Sequence, residues 1–257
     1  ATGASNTCLG HRSFDASGCT GGNCTAIGRE ALGGNTTGSS NTAVGYFAGH
    51  DITTGGANVC VGSSNLDSCT TGNYNTTMGH DTARNISTGG NNVCIGHAAG
   101  HSNSPSGEIT TGSNNVVLGN NNTSNLYCAD TSISSSDSRD KTDITDFTKG
   151  LDWIKALRPV TYRWDKRTWY GTDEEPYGTP DGSKKRSKLN IGFLAQEALE
   201  VEKANGYGSS KDDMLIVNLN EDDTAYGMKY ERLVPVLVNA IKELSAEVEQ
   251  LKSQLNN

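Results

Sequence analysis

Lysine is absent from the part of this 257-residue chain that precedes Ser136, and the basic residues there are Arg12, Arg29 and Arg84. Cysteine and histidine are absent from Ser136 onward, whereas all three tryptophans lie in that second part. These opposite absences indicate that two regions of different composition, each with its own fold, are joined near residue 130. We therefore predict two structural regions rather than one uniform domain.

Other absences exclude classes of function. No run of about 18 apolar residues occurs, so no membrane-spanning helix is predicted. The net charge of −8 is spread over both halves, which argues against a nucleic-acid partner because phosphate binding needs a basic patch. The seven cysteines form no C-x-x-C pair. The chain begins Ala-Thr-Gly without methionine or a signal peptide, which favours a fragment or a processed product.

A repeat rich in glycine and asparagine fills the first half. The frame Gly-x-x-Asn-x-x-Φ-Gly, with Φ apolar, recurs mostly every 17 residues. Its copies begin at Gly3, Gly21, Gly38, Gly55, Gly72, Gly89 and Gly112. A period this short does not fit a helical hairpin, so each copy is predicted to hold one four-residue strand between glycine corners, such as Asn92 to Ile95.

The strands of the repeat have two different faces. Methionine and the branched residues Thr, Val, Ile and Leu share one face, which we call the branched face, and asparagine shares the other with small residues. We expect the branched face to be buried and the small face to lie where coils or chains approach closely. One unit cannot bury its apolar face alone, but stacked copies can. With 33% hydrophobic residues overall, a single chain has a thin core, so several chains, most simply three, are expected to pack together.

Cysteine and histidine occupy regular positions in the repeats. One set of cysteines stands at the strand position that is alanine in other copies: Cys8, Cys60 and Cys94. Small buried residues are the favoured interpretation, with disulfides or metal thiolates as alternatives. One set of histidines follows the closing glycine: His11, His80 and His97. Surface corner residues are favoured, and metal rings on a threefold axis are the alternative.

The end of the chain has the heptad pattern of a coiled coil. Apolar residues recur with alternating spacings of 3 and 4, at Val234, Leu237, Ile241, Leu244, Val248, Leu251 and Leu255. The pattern predicts an oligomer without fixing its number of strands. The alternative is one amphipathic helix packed on its own domain. The region between, residues 141–230, is predicted to be α+β. Helices are predicted near 150–157 and from Ala195, strands near 160–164 and 214–220, a strand-like segment from Asn190 that leads into the second helix, and a loop over 170–187.

The stretch SSSDSRDK, from Ser134 to Lys141, raises the question of nucleophilic chemistry. Because histidine is absent after Ser136, the local alternative to a Ser-His-Asp triad is a serine with a lysine base. Ser136 and Lys141 are close enough for one loop to join Oγ to Nζ. A lysine amine accepts a proton only when neutral, so this mechanism predicts a desolvated Lys141. On spacing alone, a linker serine or helix cap and a surface lysine are the favoured interpretation.

Two resemblances bear on these alternatives. Residues 1 to about 120 resemble the β-roll repeats of trimeric adhesin heads and the β-structured shafts of bacteriophage tail fibres. SDSRDK, Ser136 to Lys141, matches the Ser-Asp-x-Arg-x-Lys motif of endosialidase-type intramolecular chaperones, the auto-processing C-terminal domains of phage tail spikes and fibres. Three later segments resemble the same family in order: GLDWIKALRPVTYRW from Gly150, IGFLAQEA from Ile191 and YERLVPVLVNAIKEL from Tyr230.

The resemblances imply an all-β repeat shaft of β-roll or β-helix type followed by an α+β chaperone domain that ends in a coiled coil. The implied regions are 1–129 for the trimeric repeats, 130–135 for a linker with the cleavage site, 136–232 for the chaperone and 233–257 for the coiled-coil helix. Ser136 would be the nucleophile and Lys141 its general base, cutting the Ser135–Ser136 bond once per chain. Asp137 and Arg139 would shape the loop, form an ion pair or support an oxyanion, with a plain surface pair as the alternative.

The function implied is the distal part of a virion tail fibre or spike. Its chaperone would drive homotrimerisation in the host cytoplasm during assembly and then act as a single-turnover serine autoprotease. A host-cell surface receptor or glycan is the implied external partner. The alternative is an uncleaved structural attachment fibre, or a trimeric adhesin, that keeps the chaperone as a permanent cap. No cofactor, metal, nucleic-acid partner or membrane insertion is expected.

Overall fold

The computed structural model describes residues 3–127, 136–172 and 175–256. The chain forms two compact units. The first comprises the repeats up to Ser124 together with Lys166–Lys184 and Asn220–Ala225. The second comprises Asn125–Asp165, Lys185–Leu219 and Tyr226–Asn257. The described residues include no helix with the length and hydropathy needed to cross a membrane.

The repeats form a parallel β-solenoid, which confirms the predicted all-β repeat region. Each repeat contributes one coil with a three-residue strand, and the strands pair in chain order. They are β1 (Thr7–Leu9), β2 (Thr25–Ile27), β3 (Thr42–Val44), β4 (Val59–Val61), β5 (Thr76–Met78), β6 (Val93–Ile95) and β7 (Val116–Leu118). Equivalent repeat positions pair throughout, as in Ala43 with Cys60. The period of the sequence therefore sets the register of the sheet.

At the strands, the small residues face the interior of the solenoid and the branched ones face outward. The middle residue of each strand is fully buried from the second coil to the sixth: Ala26, Ala43, Cys60, Thr77 and Cys94. The branched residues on either side are half-buried or exposed, and Leu9, Met78 and Leu118 are examples of exposed ones. The expectation that the branched face is buried is thus wrong for a single chain. Beside the strands the coil leaves room only for small side chains and asparagine, so the bulky strand face points out, whereas larger side chains such as Leu32 and Ile52 are buried elsewhere in the coils.

A ladder of asparagines fills the side of the interior next to the strands. Asn58, Asn75, Asn92 and Asn115 each donate an amide hydrogen to the side-chain oxygen of the asparagine one coil earlier, at 3.0 to 3.2 Å. Their backbone N–H groups donate to the same oxygens. The ladder satisfies polar groups that the thin apolar core cannot, which explains why the frame requires asparagine.

The glycine that closes each repeat is required for two reasons. Gly45 and Gly62 have φ angles of 138° and 134°, in a region that side chains with a Cβ rarely adopt. A Cβ on Gly45 would lie 2.3 Å from the carbonyl oxygen of Gly62 in the next coil. Close contact between corners therefore allows only glycine there.

The cysteines of the repeats serve as packing residues. Every cysteine that the structure describes is unpaired. Cys60 and Cys94 are buried, and burial raises the pKa of Cys60 to about 12 and that of Cys94 to about 11. Thiols held protonated by burial are poor metal ligands and poor nucleophiles. The small-residue interpretation is supported for these two, whereas Cys8 in the first coil is exposed.

One buried asparagine lies outside the ladder and offers a test of the core. Asn35 is fully buried, and neither of its amide atoms has a hydrogen-bond partner among the described residues. Equivalent positions in later coils hold Ile52, Cys69 and Ile86, all buried and mostly apolar. We expect Asn35→Val to stabilise the solenoid by about 1–2 kcal/mol, because a buried unpaired amide costs roughly that much. Thermal unfolding followed by circular dichroism measures this, and a lower melting temperature would show that the amide has a partner.

The second unit is α+β, as predicted. It contains α1 (Leu151–Ala156), β8 (Val160–Tyr162), β9 (Asn190–Gly192), α2 (Ala195–Ala204), β10 (Val217–Leu219), β11 (Tyr226–Met228) and α3 (Leu233–Leu255). β8 pairs with β9 and β10 with β11, both antiparallel. Trp153, Leu199, Ile216 and Val236 belong to its shared core. β11 is the element that sequence periodicity did not predict.

Helix α3 has two apolar faces. Leu233, Val236 and Ala240 are buried and attach the helix to its own domain. The heptad residues form a separate stripe, which we call the heptad stripe: Val234, Leu237, Ile241, Leu244, Val248, Leu251 and Leu255. All seven are exposed in the single chain, with Ile241 at 65%. Packing on its own domain therefore does not account for the heptad pattern, because different residues make that contact.

Candidate functional site

Ser136 to Lys141 form a tight loop that joins the two candidate catalytic side chains. A 3₁₀ turn spans Ser138–Asp140, with Asp137 as its N-cap and Lys141 directly after it. The turn reverses the chain, and Lys141 Nζ donates a hydrogen bond to Ser136 Oγ at 2.7 Å. The short spacing in sequence is therefore matched by direct contact, which is the first geometric requirement for a serine activated by a lysine.

Asp137 and Arg139 hold the loop in shape. Asp137 Oδ1 accepts the backbone N–H of Arg139 at 2.9 Å and its Nε at 3.0 Å, and Oδ2 lies 2.5 Å from the terminal guanidinium nitrogen Nη2. These hydrogen bonds from Arg139 lower the pKa of Asp137, and the same pair raises the pKa of Arg139. Both groups face solvent, so the pair adds little to stability. It fixes the turn between Ser136 and Lys141.

The environment of Lys141 differs from the prediction. Ser136 and Lys141 are both exposed in the single chain, so the predicted desolvation of Lys141 is wrong at this level of assembly. In the geometry present, the amine is the donor and the serine oxygen the acceptor. A general base has to accept the serine proton instead, which requires a neutral amine and exclusion of water. Ser135, on the other side of the predicted scissile bond, lies outside the described residues.

The segments that follow the motif meet in one core. Arg158 Nε donates to Glu197 Oε2 at 3.0 Å, and this ion pair joins the segment after α1 to α2. The hydroxyl of Tyr230, just before α3, accepts the N–H of Phe193 at 3.1 Å. The contacts bring together segments that are far apart in sequence.

Two carboxylates, one of them buried, add links that sequence reasoning missed. Glu202 is fully buried on α2 and accepts the N–H groups of Leu215, Ile216 and Val217 at 2.6 to 3.0 Å. Glu243 of α3 accepts the N–H of Leu151 at 2.7 Å, at the start of α1. A glutamate one helical turn after Leu199, on the apolar face of α2, was the signal available for Glu202. These residues shape the domain and lie outside the Ser136 loop.

Residues 136–207 match the family model described as the chaperone of endosialidase. Residues 136–207 are therefore similar to an endosialidase-type chaperone. The match begins at Ser136 and spans the motif, α1 and α2, which confirms the resemblance carried by these segments. The family is associated with phages and indicates a trimerisation chaperone of the tail-fibre type. No curated protein and no solved structure matches the chain significantly.

The endosialidase-type chaperone also contributes to the first compact unit. Lys166–Lys184, within the matched residues, and Asn220–Ala225, which follow them, are part of that unit. Lys166 Nζ donates to the carbonyl of Asn121 at 3.1 Å, and Glu221 N–H donates to the carbonyl of Ser106 at 3.1 Å. Asp222 accepts the N–H of Glu108 at 2.9 Å. These two segments therefore form hydrogen bonds with backbone groups of the last coils, where the repeat spacing is interrupted.

Proposed function

We propose that this chain is the distal part of a phage-type tail fibre or spike whose chaperone trimerises the solenoid and then releases itself by cleavage before Ser136. The observation that carries the proposal is the hydrogen bond between Lys141 Nζ and Ser136 Oγ at the first residues of the family match. The proposed boundaries of the regions remain 1–129, 130–135, 136–232 and 233–257.

Trimerisation is supported by apolar surface that each unit leaves exposed. The solenoid presents its branched strand residues, including Leu9, Met78 and Val116, along one sheet. The chaperone presents the heptad stripe of α3. Surfaces of this kind are typical of oligomer interfaces, and two further copies of the same chain would bury both. A coiled coil that holds three chains together raises their local concentration while the solenoids pair.

The proposed cleavage is an acyl shift followed by hydrolysis. The neutral amine of Lys141 takes the Ser136 hydroxyl proton while Oγ attacks the carbonyl carbon of Ser135. The C–N bond then breaks, Lys141 returns the proton to the amide nitrogen of Ser136, and an ester joins Ser135 to Oγ. Water hydrolyses this ester to the Ser135 carboxylate and the free hydroxyl. Because Lys141 is exposed in the single chain, we expect neighbouring chains of the trimer to exclude water from the loop.

Intact mass after expression tests the cleavage. We expect the wild type to split between Ser135 and Ser136, and Ser136→Ala and Lys141→Ala to stay whole at 27.1 kDa. Ser138→Ala is the matched control, because Ser138 is an exposed serine in the same loop that makes no contact with Lys141 Nζ. It should cleave like the wild type. A wild type that stays whole yet forms trimers would favour the second candidate, a fibre with a permanent chaperone cap.

A further inference from the structure

Two histidines of adjacent coils are stacked on the solenoid surface. His80 and His97 follow the closing glycines of β5 and β6, and the backbone pairing continues past them. The N–H of Gly96 donates to the carbonyl of Met78 at 2.8 Å, and that of Ala98 donates to the carbonyl of His80 at 3.0 Å. The imidazole rings are consequently 5.5 Å apart with 16° between their planes. The backbone hydrogen bonds between adjacent coils therefore fix the relative position of the two histidines.

Asp81 adds a carboxylate to this pair. Its Oδ2 lies 3.0 Å from His80 Nδ1. Each of the three residues offers one ligand atom, and these atoms all lie within 4.8 Å of one another. Among the residues that the structure describes, this is the one cluster of histidine, cysteine and acidic side chains with such spacing. It lies at the rim of a polar cleft of about 470 Å³ lined also by Asp67, Arg84 and His101.

We propose that His80, Asp81 and His97 bind one divalent transition-metal ion, such as Zn²⁺, that links the fifth and sixth coils. Two imidazoles and a carboxylate are ligands that such ions favour, with water completing the coordination. Metal–ligand bonds of about 2.0–2.2 Å place tetrahedral ligand atoms roughly 3.3–3.6 Å apart. The present spacing of up to 4.8 Å has to contract by about 1.2–1.5 Å, which rotation of the exposed His80 side chain allows.

Existing contacts oppose the ion and limit its affinity. Arg84 Nη1 lies 3.6 Å from Asp81 Oδ1, and the Asn120 amide nitrogen lies 3.1 Å from His97 Nδ1. Arg84 has an alternative partner, because its Nε lies 3.8 Å from Asp67 Oδ2. The guanidinium can therefore leave Asp81 without losing all ion pairing. We expect a dissociation constant on the order of ten micromolar, weaker than that of a closed structural zinc site.

His11 provides a matched control within the same solenoid. It occupies the same repeat position as His80 and has the same backbone pairing, since the N–H of Glu30 donates to its carbonyl at 2.9 Å. The equivalent position in the next coil holds Arg29 instead of a second histidine. His11 is thus an exposed corner histidine that lacks the stacked partner on which the proposal depends.

Isothermal titration of Zn²⁺ into the full-length protein, purified without a histidine tag, tests the site. We expect one ion per chain, a loss of at least about tenfold in affinity for His80→Ala and for His97→Ala, and no change for His11→Ala. Arg84→Gln should bind Zn²⁺ more tightly because the competing cation is gone. Circular dichroism without metal checks that each variant is folded. Absence of binding to the wild type, or equal loss in all three histidine variants, would overturn the proposal.

Discussion

Asn75→Ala is expected to lower the stability of the solenoid by about 3–5 kcal/mol. Asn75 Nδ2 donates to Asn58 Oδ1 at 3.1 Å and to the carbonyl of Gly89 at 2.9 Å. Its Oδ1 accepts both the backbone and the side-chain N–H of Asn92. Alanine removes all four hydrogen bonds in a site with no exposure to solvent. Each buried group left unpaired costs about 1–3 kcal/mol, so the loss exceeds that of an ordinary substitution.

Asn73→Ala is the control for this prediction. Asn73 lies in the same coil and forms hydrogen bonds to Gly56 and Thr71, but it is exposed, so water can replace those bonds. We expect its effect to stay within about 0.5 kcal/mol. The far-UV circular dichroism of the β-sheet is the measurement, because none of the tryptophans lies in the coils. A similar small loss for both variants would mean that the ladder adjusts or admits water.

The asparagine ladder stabilises every pairing register of the coils equally, so it does not favour the correct register over a shifted one. A slip by one coil would again place asparagine against asparagine. The interior position that follows the corner does differ between coils, with Phe14, Leu32, Gly49, Leu66 and Ala83 in turn. Gly49 lies against Ile52 and Leu32, where a Cβ would be 2.9 and 3.2 Å from their methyl carbons. Alternation of large and small side chains thus distinguishes one register from the next within a chain.

Features of the fold that local sequence determines could be predicted, and features that depend on the width of the coil or on other chains could not. The strands and their pairing were predictable because a fixed period places equivalent residues such as Ala43 and Cys60 opposite each other. The buried face was not, because branched residues usually mark a core, and here the width of the coil decides instead. Additional chains would explain why the branched face is exposed in the single chain, and a single sequence does not show where those chains lie.

In the Ser136 loop, too, the feature determined by local sequence could be predicted and the others could not. The contact between Ser136 and Lys141 was predictable, because a turn of a few residues capped by Asp137 determines it. The exposure of Lys141 was not, because the prediction of a desolvated amine came from the proposed mechanism and not from residues that could cover it within one chain. Glu202 was missed for a different reason: its partners, the N–H groups of Leu215 to Val217, are brought to it only by the tertiary fold.

Ile241→Glu is expected to abolish trimers while leaving each chain folded. Ile241 lies at the centre of the heptad stripe and is 65% exposed in the single chain, so glutamate costs little there. In a coiled coil it would place three carboxylates at one core layer without partners, and buried unpaired charge is among the most destabilising changes known. Light scattering after size-exclusion chromatography should give the mass of one chain in place of three.

Ala246→Glu distinguishes the stripe from the helix as a whole. Ala246 is exposed and lies on the outer side of the heptad pattern, so the same new charge there should leave trimers intact. If assembly supplies the dry environment that Lys141 needs, Ile241→Glu should also lose cleavage before Ser136, whereas Ala246→Glu should keep it. Cleavage by a monomeric Ile241→Glu chain would show that cleavage does not depend on trimerisation. Lys141 would then have to act as the base in the exposed loop of the single chain.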